Sequence, residues 1–220
     1  MRKVYMEIKR IEDLSDVCLE QMEGTSEWYF CKQCEDDFCD MYEAEEIINN
    51  NGEFSGATCY LIHFPDGEVF RPFEMRKNIY IENPVFDNGR IGFLEVDFTM
   101  KTITIYHYIW EEKKLVTLTE LPLALVEDCY NLSLKSTPLM LGRDGNDGKY
   151  EVIWPVRKDL RIGDRETLMF RYDEKLYFHD WYENPEYHEE VVVRDLNTGL
   201  VLERFSGNIY RMPDGSYWRV

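Results

Sequence analysis

Two kinds of β-hairpin alternate along this chain, each occurring four times at a period of about 40 residues, and the pattern predicts an all-β fold. The expected architecture is a small β-propeller of four blades, four strands to a blade. A second observation supports it: the strands carry apolar side chains on both faces. In "TITIYHYIW", Ile103, Ile105 and Ile109 point one way while Tyr106, Tyr108 and Trp110 point the other. Strands apolar on both faces suit a blade packed between two neighbours better than a half-wetted sheet. A third observation concerns the ends, where hairpins of opposite kind, 58–73 and 208–220, predict a fourth blade closed by two strands from each terminus.

In chain order, the first segment reads differently from the rest. "DDFCDMYEAEEIINNNG" (36–52) carries Phe38, Met41, Tyr42 and Ile48 at helical spacing, an acidic first turn and an Asn-Gly stop. "SDVCLEQM" (15–22) reads as a second helical piece. Residues 1–55 are therefore expected to be a helical N-terminal appendage, and 56–220 the propeller. If "EWYF" (27–30) is a strand, a five-bladed ring is the alternative.

The first hairpin kind is "TCYLIHFPDGEVFRPF" (58–73), "TITIYHYIWEEKKLVTLTEL" (102–121), "KYEVIWPVRKDLRI" (149–162) and "EEVVVRDLNTGLVLERF" (189–205). Between them stand "NPVFDNGRIGFLEVDF" (83–98), "NLSLKSTPLMLG" (131–142), "LMFRYDEKLYFHDWY" (168–182) and "NIYRMPDGSYWRV" (208–220). Each is a β-branched or aromatic run, a polar turn and a second run. The blade grammar, with a Tyr-bearing third strand and an outer strand ending in "LPL" (121–123), resembles kelch-type propellers over roughly the last three quarters of the chain. The kelch double glycine is absent, "FLEVDF" (93–98) standing in its place, so the resemblance implies architecture only.

Composition limits the function classes. Acids outnumber bases 43 to 25, for a net charge of −18, which opposes binding to phosphate backbones or anionic lipid. Neither nucleic acid nor membrane is expected as a partner. "MRKVYMEIKRIEDLSD" has no apolar signal core, and six cysteines without one point to a reducing, cytoplasmic setting.

Cys31, Cys34 and Cys39 have the C-x2-C-x4-C spacing of a zinc-knuckle start, but Ala44 occupies the place of a fourth ligand. Cys31 and Cys34 would also suit a redox pair, against which Glu35, Asp36, Asp37 and Asp40 disfavour a thiolate. The expectation is buried cysteines without metal, and no cofactor. "GRDGNDG" (142–148) lacks the glycine and glutamate of a calcium loop and reads as a hairpin turn, with Lys149 and Pro155 in their places. "YFHDWYENPEYHEE" (177–190) is the most ligand-like stretch, aromatics beside acids suiting a sugar or a protein hot spot.

The candidate binding residues are Arg143, Asp144, His179, Asp180, Trp181 and Tyr182, with residues 1–55 expected to pack beside them on the face of the long loops. No nucleophile elbow, phosphate-binding loop or metalloprotease motif occurs. The expected function is a non-catalytic binding or protein-interaction module for an unidentified protein or small polar ligand. Its rival is a propeller enzyme acting on carbohydrate or another polar substrate through carboxylates such as Asp97 and Asp180. An acid pair with separated pKa values in the central channel would favour the rival, and an apolar plug the binding module.

Overall fold

The computed structural model describes residues 8–11, 14, 18–35, 39–145, 148–184 and 186–220. Four small antiparallel sheets stand in a ring as the four blades of a β-propeller. The first blade contains β1 (Glu20–Gln21), β2 (Trp28–Cys34), β3 (Ala57–His63) and β4 (Val69–Phe70), with helix α1 (Met41–Asn49) between β2 and β3. The second contains β5 (Ile79–Ile81), β6 (Val85–Asp87), β7 (Arg90–Asp97), β8 (Thr102–Ile109) and β9 (Lys114–Pro122). Both β5 and β6 pair with β7, so together they form its inner strand. The third contains β10 (Leu132–Lys135), β11 (Met140–Asp144), β12 (Lys149–Trp154) and β13 (Lys158–Arg161). The fourth contains β14 (Glu166–Tyr172), β15 (Lys175–Tyr182), β16 (His188–Asp195) and β17 (Val201–Ser206). A two-stranded hairpin, β18 (Ile209–Arg211) and β19 (Tyr217–Arg219), ends the chain.

Strands apolar on both faces make the seams between blades. Ile91, Phe93 and Tyr108 face the first blade and meet its Leu61 and Phe70. On the opposite face of the same sheet, Leu94, Val96, Ile103 and Ile105 meet Leu134, Leu141 and Ile153 of the third blade. A third cluster joins Tyr150, Val152 and Leu160 to Leu168, Phe178 and Val192 of the fourth. Each such side chain, once buried, contributes about 1.5–3 kcal/mol of transfer free energy, so these seams dominate the ring's stability.

Helix α1 follows its sequence signals. The Asp40 carboxylate accepts from the backbone N–H of Tyr42 (2.9 Å) and Glu43 (3.3 Å), capping the first turn. Met41 and Ala44 enter the apolar cluster between the second and third blades, and Asn51, at φ 61°, ends the helical path.

Four sheets form the ring, so the five-blade alternative does not arise, and "EWYF" begins a strand of the first blade. Two further expectations are corrected. Residues 1–55 are not a helical appendage, because β1 and β2 belong to the first blade and β2 pairs with β3 from Trp28–His63 to Cys34–Ala57. The part of "SDVCLEQM" among the described residues contains β1 and no helix. β1 and β2 fill the inner positions of that blade, and among the described strands β18 and β19 pair with each other alone. The two-plus-two strand pairing of the termini is therefore absent.

Closure is made by side chains instead. The Arg211 guanidinium lies against Gly24 of the first blade, so closely that a Cβ there would sit 2.2 Å from Nε. Its Nη1 donates to the Phe86 carbonyl of the second blade (3.4 Å) and to Ser136 Oγ of the third (3.1 Å). Tyr217 stacks on Phe170 of the fourth blade at 4.6 Å and meets Tyr172 edge-on. One hairpin thus braces all four blades.

Replacing Tyr217 by Ala is expected to cost about 2 kcal/mol through the lost stack and buried ring area, lowering the thermal midpoint by roughly 4–8 °C. Trp218→Ala, on the hairpin's outer face at 58% exposure, is expected to change it by less than about 0.5 kcal/mol. Calorimetry on both variants checks the brace, and equal midpoints would contradict it.

Candidate functional site

Antiparallel alternation puts the connections between second and third strands on one face of the ring, together with those between blades. That face carries α1 and the facing ends of β11 with β12 and of β15 with β16; the tight hairpin turns lie on the other.

His179, Asp180, Trp181 and Tyr182 all stand at the end of β15, and the strand period separates them. Asp180 lies opposite Glu166 on β14 and Glu190 on β16, which aligns three acids across the blade. Two arginines neutralise the row. Arg194 donates to Glu166 through Nε (2.7 Å) and Nη2 (2.8 Å). Arg204 donates to Glu166 (3.2 Å), Asp180 (3.1 Å) and Glu190 (3.2 Å). Tyr182 Oη donates to Asp180 at 2.7 Å, which disfavours loss of its own proton and raises its pKa. The Tyr182 ring stacks on His188 at 4.4 Å, with the Arg165 guanidinium 4.9 Å from its centroid. His179 lies on the other side, 3.7 Å from Glu189, and Trp181 is 39% exposed. Asp180 and Tyr182 are thus members of an ionic ladder that ties four strands together. Asp97, the acid paired with Asp180 in the glycosidase reading, accepts from Thr99 N (2.9 Å) and Met100 N (2.7 Å) and shapes a turn in another blade.

Arg143 has a similar structural duty. Buried on β11, it donates to the carboxylates of Asp128 and Glu151 and to the Asp128 carbonyl, and pairs with Glu127. This holds the connection from the second to the third blade, where Cys129 N donates to Glu45 of α1 (2.7 Å) and Tyr130 meets Tyr42 edge-on at 5.6 Å. Helix α1 therefore docks beside Arg143, while the residues at 179–182 make their contacts within the fourth blade.

Asp144 belongs to a different place, the central channel. A cavity of about 360 Å³ toward the tight-turn face is lined by Glu23, Phe30, Glu82, Phe86, Lys135, Phe170 and Arg211, among others. A second, of about 270 Å³ toward the long-loop face, is lined by Asp40, Glu82, Asn131, Lys135, Asp144, Tyr150 and Thr167, among others. Glu82, Ser133 and Lys135 border both, forming a waist. Lys32 donates to Tyr80 Oη and lies 3.9 Å from Glu82, and Tyr80 in turn donates to the Cys39 carbonyl (2.8 Å). Among the described residues no hydrogen bond or ion pair reaches the Lys135 ammonium, and burial lowers its pKa. Tyr150 Oη is buried without a partner, lying over Gly142, where a Cβ would come within 2.1 Å of it. Burial pushes the Asp144 carboxyl up to about 6, against the Leu168 N–H and Lys135, which favour its charged form. The channel is polar, holding acids and bases, and is not plugged by apolar side chains.

Sequence reading missed Glu82, Lys135 and Tyr150. Lys135 and Tyr150 sit in ordinary strand patterns and Glu82 between β5 and β6, and only the ring brings these residues of the second and third blades together. It also missed Asp87 and His107, whose Oδ2 and Nε2 lie 3.6 Å apart, with Asp87 Oδ1 and both imidazole nitrogens buried and without a hydrogen bond. Neither borders the two channel cavities.

The cysteines divide. Cys31 is fully buried, whereas Cys34 and Cys39 form a disulfide, so the reading of unlinked thiols fails for these two. Cys34 ends β2 and Cys39 precedes the Asp40 cap of α1, and their Cα atoms lie 5.7 Å apart. Among the described residues no three His, Cys, Asp or Glu side chains are grouped so as to hold a metal ion. Nor is any described helix long and apolar enough to cross a membrane. Of the calcium-like loop, residues 146 and 147 lie outside the described residues.

No protein-family model matches this sequence, and no curated protein does. Among solved structures, a chain of the mitotic checkpoint complex is similar at 11% identity and a TM-score of 0.46, covering 93% of this chain and 60% of that one. The Porphyromonas gingivalis dipeptidyl peptidase 4 is similar at 10% identity and a TM-score of 0.43, covering 90% of this chain and 32% of that one. This chain thus spans less than two thirds of either.

Two outcomes follow from the site. Glu166→Ala removes the carboxylate partner of Arg194 and one of three of Arg204, and is expected to cost about 3–4 kcal/mol in denaturant unfolding. For Asp144, the folded pKa of about 6 exceeds the ordinary 3.8, so the folded state keeps a proton that the unfolded state has lost. Stability therefore falls as pH rises from about 4 to about 6. Asp144→Asn mimics the protonated acid and should be about 1–2 kcal/mol more stable than the parent at pH 7, after allowing for solvent screening, with the difference gone below pH 4. A difference that does not change with pH would refute this.

Proposed function

We propose that the chain is a non-catalytic binding module that engages a basic protein surface through its long-loop face. The supporting observation is how that face divides its polar and aromatic groups. Its large charged clusters are internally neutralised around Arg143 and Arg204, while Tyr130, Trp181 and Tyr187 remain exposed, Tyr187 at 64%. Exposed aromatics beside satisfied ion pairs supply contact area without a desolvation penalty, which is the makeup of an interaction hot spot. The net charge of −18 selects a basic partner and makes association salt-dependent.

The second reading is a carboxylate-dependent enzyme acting on a polar substrate. Asp144 favours it, as an acid with a raised pKa beside Glu82 in the channel.

With the purified chain as bait, a discrete partner should be retained, and Trp181→Ala combined with Tyr187→Ala should weaken retention tenfold or more at an unchanged thermal midpoint. Retention indifferent to both substitutions and to salt would overturn the reading. So would turnover of a glycoside or ester substrate that Asp144→Asn abolishes.

A further inference from the structure

We propose that the central channel is a binding site for one small, neutral, polyhydroxylated ligand held by Lys135 at the waist and by Tyr150 in the long-loop cavity. This site lies on the ring axis, separate from the aromatic surface of the long-loop face.

The inference starts from unmatched polar groups. Lys135 offers three N–H donors with no acceptor bonded among the described residues, and the buried Tyr150 Oη has no partner. A buried polar group left unpaired costs about 1–3 kcal/mol, and Tyr150 Oη is one, on a residue that lines the same cavity as half-buried Lys135. Asp144 and Glu82 bring acceptors to the same cavity, and Ser133 and Thr167 add hydroxyls that both give and accept.

Charge then selects the ligand class. An anion would accept from Lys135 and Tyr150 but would face Glu82, Asp144 and Asp40 on the same walls. A cation would satisfy those acids but meet Lys135, with Lys32 beside Glu82 and Arg211 at the far end. A ligand bearing several hydroxyls donates to the acids and accepts from the donors, with no charge to repel either. The lower cavity adds Phe30, Phe86, Met169 and Phe170, apolar surface suited to the C–H face of a sugar ring or cyclitol. The two cavities together, about 360 and 270 Å³, are of the size that holds one small ligand.

The test is a titration of the full ¹⁵N-labelled chain, reading backbone amide shifts at Ser133, Lys135, Asp144 and Thr167. The probes are D-glucose, D-galactose, D-mannose and myo-inositol, with acetate and ethylammonium as charged controls. At least one polyol should shift these amides saturably, with a dissociation constant of about 1 mM or tighter. Tyr150→Phe and Lys135→Met should each weaken that binding about tenfold. Tyr150→Phe breaks no bond within the protein, so it decides the matter even if Lys135→Met fails to fold. The proposal is overturned if no polyol saturates, if either charged control binds the same amides more tightly, or if Tyr150→Phe leaves polyol binding unchanged.

Discussion

Apolar contact between neighbouring sheets is the interaction on which everything else in this ring depends. A four-stranded sheet of this length buries too little by itself, and each blade becomes stable only when both faces are covered. The second blade shows this directly, since Phe93 and Leu94, adjacent on one strand, enter different clusters. A strand with a polar face could not occupy that position. Three seams are built this way, and among the described residues the fourth is closed differently, by a hairpin whose Arg211 and Tyr217 reach all four blades.

The ring has a consequence at its axis. The inner strands β1, β5, β10 and β14 each leave one edge of backbone unpaired toward the channel, and those polar groups favour a wet, polar lumen over an apolar plug. Glu82, Lys135 and Asp144 line it and Lys32 stands beside Glu82, so acids and bases face one another there. The acid whose pKa is most clearly raised by its surroundings, Asp144, stands where the fold gains nothing from it in stability, a pattern associated with function.

A chain carrying 43 acids must also spread or neutralise them. Here the arginines are placed at the points of greatest acid density: Arg204 and Arg194 serve the row of Glu166, Asp180 and Glu190, and Arg143 serves Asp128, Glu127 and Glu151. These pairs stitch strands within a blade or loops onto it, so residues that look like ligand-binding chemistry in the sequence carry structural duties. The stretch at 177–190 is the instructive case. Asp180 and Tyr182 face inward to the ladder, while Trp181 and Tyr187 are exposed.

The sequence by itself determined the hairpins, the helix and the number of blades. Turn residues, two-faced apolar strands and an Asp cap act over a few residues, where neighbours in the chain are neighbours in space; all eight hairpins from 58 to 220 form for that reason. β1 escaped notice because a two-residue exposed strand has no periodicity to read, and with it went the true partner of the first blade's outer hairpin. Only the tertiary structure decided how the ring closes and what fills its axis. Lys32, Glu82, Lys135 and Tyr150 come from three blades and up to 118 positions apart, Lys32 to Tyr150. Nothing local marks them, because their proximity is fixed by the rotation from one blade to the next.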